Sequence, residues 1–154
     1  MIRYVPQRRF RHLLYVTTIA LTCVPCSLSA AAQQAATKHV PAKLVCGPHS
    51  ANPKKLKAFV EHLQFDVTGN LWTSERKTSP QPGKERFLGI LSPSSGAMLV
   101  IGERRLIIGE GKLDDHPIWT YEFSGRKSPN GLTILRGSLQ SQTPKGSRSC
   151  SLGF

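Results

Sequence analysis

Gln64-Phe65-Asp66-Val67-Thr68-Gly69-Asn70-Leu71-Trp72-Thr73-Ser74-Glu75-Arg76-Lys77 reads as a β-hairpin. Phe65 and Val67 alternate with polar neighbours on the first arm, Gly69-Asn70 supplies the turn, and Leu71 to Lys77 forms the returning arm. Ser79-Pro80-Gln81-Pro82-Gly83 then breaks the alternation and is expected to be a loop. Beyond it lie the runs Glu85 to Leu91, Ala97 to Ile101, Arg105 to Ile108, Ile118 to Phe123, Leu132 to Leu139 and Ser147 to Leu152. Each is short and bounded by Gly, Pro, Ser or Asn. With the two hairpin arms they predict about eight short strands: a mostly β, antiparallel meander closing into a small barrel or sandwich.

A repeat runs through this region. Phe87-x-Gly89, six residues, Gly96, five residues and Gly102 is matched by Phe123-x-Gly125, five residues, Gly131, five residues and Gly137. One hairpin unit used twice accounts for it, with glycines that bend a strand, take a positive-φ turn and kink the return strand. Two copies support a meander and not a solenoid. A leading Cys46, the Phe-x-Gly and Gly-x5-Gly hairpins and a closing Gly146-x-Arg148-x-Cys150-x-Leu152 give a pattern that resembles small exported β-domains of uncharacterised Gram-negative bacterial proteins. The resemblance spans Cys46 to Phe154 and implies no activity, cofactor or catalytic residue.

Upstream of the hairpin, Asn52-Pro53 begins a stretch in which Leu56, Phe59, Val60 and Leu63 fall at i, i+3, i+4 and i+7. An N-cap residue, a proline at the first helical position and this spacing predict one N-terminal helix over 52–63. Residues 33–45, rich in Ala, Gln, Thr, Lys and Pro, read as a flexible leader. Residues 1–32 read as a secretory signal: Arg3, Arg8, Arg9 and Arg11 precede the apolar run Leu13 to Val24, and Ala30-Ala31-Ala32 supplies the small cleavage positions. The run falls well short of the roughly 20 residues that a bilayer core requires. The sequence therefore divides into a signal (1–32), a leader (33–45) and one domain (46–154), with no transmembrane segment expected once the signal is removed.

The signal changes two counts. Four of the 21 Lys and Arg lie in it, leaving 17 against nine acids, a formal charge of +8 instead of +12. Cys23 and Cys26 also lie in it, and neither sits in a lipobox. An exported domain left with Cys46 and Cys150 is expected to join them in one disulfide. Gln7, where twin-arginine export wants Ser or Thr, speaks against that route for Arg8-Arg9. The destination is the periplasm or the exterior.

The chemistry-bearing residues form no catalytic pattern. Cys46-Gly47-Pro48-His49 lacks the second cysteine of a redox motif. Asp114-Asp115-His116 reads as a polar turn, since three adjacent side chains converge poorly on one ion, and no metal or other cofactor is expected. There is no Gly-x-Ser-x-Gly elbow, and the carboxylates are interspersed with Lys and Arg. An enzyme is not the expectation. Period two puts Trp119, Tyr121 and Phe123 on one face, either filling the core or lining a barrel mouth around a small apolar ligand.

Basic residues are spread along the domain, among them Arg76, Arg104-Arg105 and Arg126-Lys127, and many fall in predicted turns, where they either gather as one patch or form a scattered basic surface that aids solubility. Together with Trp72, Trp119 and Tyr121 they are the candidate binding residues, for an anionic envelope polymer or a protein partner. Nucleic acid is disfavoured by export and by the absence of interleaved aromatic and basic positions. The expected role is an exported binding or interaction module. Inhibition of a hydrolase through the Ser79 to Gly83 loop, and carriage of a small apolar ligand, are the alternatives.

Overall fold

The computed structural model describes residues 36–154, so the signal, with Cys23 and Cys26, lies outside the described residues. Nine strands follow one another: β1 (Lys38–Cys46), β2 (Phe59–Thr68), β3 (Leu71–Thr78), β4 (Gly83–Leu91), β5 (Ala97–Ile108), β6 (Lys112–Leu113), β7 (Trp119–Arg126), β8 (Ile134–Gln142) and β9 (Lys145–Gly153). Every pairing is antiparallel. The lateral order β4-β3-β2-β1-β9-β8-β7-β5, with β4 also paired to β5, closes eight strands into a barrel; β6 is a short edge on β5. Closure removes the open edges that a meander would otherwise expose to association.

Two expectations are corrected here. Residues 38–45, read as leader, form strand β1, in which Val40, Ala42, Leu44 and Cys46 turn inward while Lys43 and Val45 face out. Pro41 is tolerated in the stretch Lys38–Ala42, which pairs with β2 alone; β9 joins only from Lys43. Nor is there a helix over 52–63. Asn52 does start a turn, accepting the Lys55 N–H through Oδ1 at 3.1 Å and the Leu56 N–H through its carbonyl at 2.9 Å. The chain then enters β2, because Phe59, Glu61, Leu63, Phe65 and Val67 form a longer period-two series than the helical one. Nine register pairs with β1 fix it there.

The count of eight expected strands survives through two offsetting differences: β1 was missed, and β5 was divided at Gly102. That glycine lies inside an unbroken ladder, opposite Phe87 on β4 and Tyr121 on β7. The repeat finds its explanation in the same register. Phe87 faces Gly102 across β4 and β5, and Phe123 faces Gly137 across β7 and β8. Both rings point inward; the missing side chain of Gly102 leaves the space that the Phe87 ring takes, and that of Gly137 lets the Glu122–Phe123 backbone approach closely. Gly69 and Gly96 take the positive-φ turn positions, at 59° and 68°, whereas Gly131, the counterpart of Gly96 in the repeat, does not.

One inward ring of residues runs laterally through Trp72, Gly89, Val100, Phe123, Gly137, Cys150 and Cys46. With Leu44, Phe65, Leu135, Leu139 and Leu152 it fills the barrel, so the interior is a packed core. Full burial of side chains such as Phe65 and Phe123 contributes roughly 1.5–3 kcal/mol each. Cys46 and Cys150 face each other in the short ladder between the first and last strands, with Cα atoms 4.1 Å apart, and form the disulfide. The bridge therefore lies on the seam that closes the barrel. The β2–β3 ladder is the loosest, pairing only Asp66–Thr68 with Leu71–Thr73 before the arms part.

Candidate functional site

The inward rings become polar toward the end of the barrel that carries the 47–58 segment. The last ring there runs Arg76, Glu85, Arg104, Trp119, Ser141 and Gly146. Glu85 is fully buried, and its two oxygens are divided between partners. Tyr121 donates its hydroxyl to Oε1 at 2.5 Å, and Arg76 donates Nε to Oε2 at 2.7 Å. Arg76 also pairs with Glu61 across the gap where β2 and β3 part. Burial acts against the Arg76 charge, yet the Glu85 and Glu61 carboxylates hold its pKa above the ordinary guanidinium range. Burial first, and then the Glu85 carboxylate, push the Tyr121 hydroxyl far above the usual tyrosine range. At neutral pH that hydroxyl holds its proton, so it acts as a donor that positions Glu85.

A stack of alternating cations and rings lies beside this network. The Arg148 guanidinium sits 5.2 Å from the Phe59 ring centre, Phe59 and Trp119 stack at 6.2 Å, and the Arg104 guanidinium lies 4.5 Å from the Trp119 ring. Arg148 Nη1 donates to the carbonyls of Gly47, Leu56 and Lys57 at 2.8, 3.2 and 2.7 Å. Burial pushes its pKa below the ordinary guanidinium range. His49 is buried against Gly146, where a Cβ would meet its imidazole. At this end both Glu85 oxygens and the three carbonyls just named are engaged, while Arg104 Nε and His49 Nε2 are buried without a partner among the protein groups.

The opposite mouth is different. Val40, Trp72, Met98 and Phe154 wall a pocket of about 270 Å³, with Lys38 and Lys127 among its lining residues. Phe154 packs edge-on against Trp72 at 4.9 Å, and Lys127 Nζ lies 5.8 Å from the Trp72 ring centre. The indole Nε1 is buried and has no partner among the protein groups. Lys38, Arg126 and Lys127 are exposed, and no carboxylate of the described residues lies within ion-pair distance of them. The wall is fixed by hydrogen bonds: Thr133 Oγ1 accepts the Ser128 N–H at 3.0 Å, and Phe154 N–H donates to the Thr133 carbonyl at 2.9 Å.

A larger groove, about 870 Å³, crosses the outer face of β3, β4 and β5. Leu88 and Ile101 line it as one exposed row, and Leu71, Ile90 and Leu99 form the neighbouring exposed row outside it. Glu75 borders it, paired with Lys84 at 3.0 Å and Arg86 at 2.6 Å, and those two cations lower its pKa.

The eight candidate binding residues thus do not converge. Arg76, Arg104, Trp119 and Tyr121 belong to the polar end; Tyr121 and Phe123 are core, and only Trp119 reaches the rim. Arg105 lies on the outer face of β5, clamped to Glu103 at 2.8 Å, which raises its pKa. Trp72 and Lys127 meet at the open mouth, and Arg126 lies next to Lys127 on the outer face of β7 without lining the pocket. Lys38, Val40 and Phe154 were missed there, although the alternation of 38–46 was a readable signal for the first two. The Ser79 to Gly83 segment is a short turn, tied down by Thr78 Oγ1 to the Gln81 carbonyl at 3.0 Å and by Ile107 N–H to the Pro82 carbonyl at 2.9 Å. Asp114 accepts the His116 N–H at 3.0 Å, so this acidic run forms a polar turn. No protein-family profile, curated protein or solved structure matches the chain.

Proposed function

We propose that this chain is an exported binding module that holds an anionic envelope component at the mouth formed by Lys38, Trp72 and Lys127, with Arg126 beside it. The observation that carries this reading is the placing of unpaired cations against an aromatic pocket at this mouth. At the polar end, Arg76 answers carboxylates and Arg148 answers carbonyls. At the open mouth, Lys38 and Lys127 answer no carboxylate of the described residues and line the aromatic pocket, and the exposed Arg126 stands beside Lys127 at the end of β7. Unpaired cations beside a low-dielectric wall attract an anion more strongly than cations scattered over open surface. The disulfide is compatible with an oxidising compartment such as the periplasm, which agrees with the reading of residues 1–32 as a signal.

The test is binding to vesicles of anionic and of zwitterionic lipid across a salt series. Binding to the anionic vesicles is expected to weaken as salt rises. It is expected to be lost when Lys38, Arg126 and Lys127 are replaced together by Glu, and retained when Lys54, Lys55 and Lys57, at the other end, are replaced instead. Equal loss from both triple variants would reduce the mouth to general basicity and overturn the reading.

A further inference from the structure

We infer that the open mouth takes an alkyl chain as well as a charge, so that its ligand is a single-chain amphipathic anion. This rests on the reading of the mouth as an anion site and narrows it. The pocket is walled by Val40, Trp72, Met98 and Phe154, with the exposed Lys38 and Lys127 and the polar Ser128 and Thr133 completing its lining. At about 270 Å³ it lies just below the roughly 300–1,000 Å³ of drug-sized sites. That is space for the end of one chain.

The pocket is also prepared in advance. Phe154 is held by the Thr133 carbonyl, and the 128–133 segment by the Thr133 hydroxyl, so little ordering cost falls on binding. Lys127 lies over the Trp72 ring within cation–π reach, which places an ammonium at the boundary between apolar wall and solvent. A chain lying against Trp72 and Met98 brings its anionic head to that ammonium and to Lys38. The buried indole N–H, without a protein acceptor, gains one if an oxygen of the head group reaches it.

The experiment titrates the protein, below micelle-forming concentrations, with dodecyl phosphate, dodecanoate, dodecyl maltoside, inorganic phosphate and polyphosphate, read by calorimetry and tryptophan fluorescence. Dodecyl phosphate and dodecanoate are expected to bind at least ten-fold more tightly than inorganic phosphate or dodecyl maltoside. The two chain-bearing anions distinguish a phosphate head from a carboxylate head. Across shorter chains, affinity is expected to change by roughly four-fold per methylene until the pocket is full. Lys127→Glu is expected to cost ten-fold or more, and Lys55→Glu nothing. If polyphosphate binds and alkyl length makes no difference, the pocket plays no part and this inference falls while the anion site stands. If no anionic probe binds, both fall. If dodecyl maltoside binds as tightly as dodecyl phosphate, the lysines do not select charge and the inference is overturned. The chain-length series needs only the unaltered protein, so a variant that fails to fold does not obscure the result.

Discussion

Phe87 lies across from Gly102 in the β4–β5 ladder, and a Cβ on that glycine would meet the Phe87 ring. The ring is 3% exposed and packs against Phe65 and Tyr121. Gly102→Ala is therefore expected to destabilise the barrel by about 1–3 kcal/mol, the usual range for overpacking a filled core. Gly137→Ala is expected to cost more, because its Cβ would meet the Glu122 carbonyl, a backbone atom that moves only with its strand. Urea unfolding of the two variants checks both the effect and its order.

Tyr121→Phe removes the donor to Glu85 Oε1 inside the barrel. A buried acceptor left unpaired costs about 1–3 kcal/mol, which thermal or urea unfolding at neutral pH measures. The same pair predicts an alkaline limb. Folded Tyr121 keeps its proton well above the ordinary value of 10.0, so at high pH the folded state binds more protons than the unfolded one. The associated stability is complete below pH 10 and declines as pH rises beyond it. Stability in the Phe variant should fall less steeply over that range.

Arg148→Met is expected to free the 47–58 segment. One nitrogen of this guanidinium collects carbonyls from Gly47, Leu56 and Lys57, the Leu56 carbonyl also accepting the His49 N–H. Losing a buried charged donor to several acceptors costs about 3 kcal/mol. Hydrogen exchange should show faster protection loss at His49 and Ser50, whose amides bond to the Leu56 and Ser147 carbonyls, than at the β4–β5 ladder.

Replacing Cys46 and Cys150 together by Ala is expected to lower stability by up to about 4.7 kcal/mol, the chain-entropy value for a closed loop of roughly a hundred residues. The sequence separation is 104. Unfolding the oxidised protein and the double variant under identical conditions gives the difference directly.

The strand content and the closing disulfide were legible in the sequence because both are short-range or combinatorial signals: alternation, turn residues, and two cysteines left to pair. The misread segments show where local rules compete. Leu56, Phe59, Val60 and Leu63 satisfy helical spacing, but Phe59 to Val67 satisfies the strand period for longer, and pairing with β1 decides between them. That partner had been assigned to the leader, so the competition was invisible. The functional side was harder still. Which of the basic residues share a mouth depends on register and closure, and Lys38, Trp72 and Lys127 are brought together only by strands far apart in sequence. Arg76 and Lys127 look alike in a list of turn cations; one answers two buried or half-buried carboxylates and the other faces solvent.

The placement of the disulfide also determines how the domain responds to tension. Cys46 ends the first strand and Cys150 lies near the end of the last, so a pull on the two ends reaches a covalent bond after peeling only the flanking parts of β1 and β9. The residues between the cysteines, including the walls contributed by Trp72, Met98 and Lys127, lie outside the path of the force. Val40 and Phe154 lie on it, so a steady pull would open one side of the pocket while leaving the barrel intact.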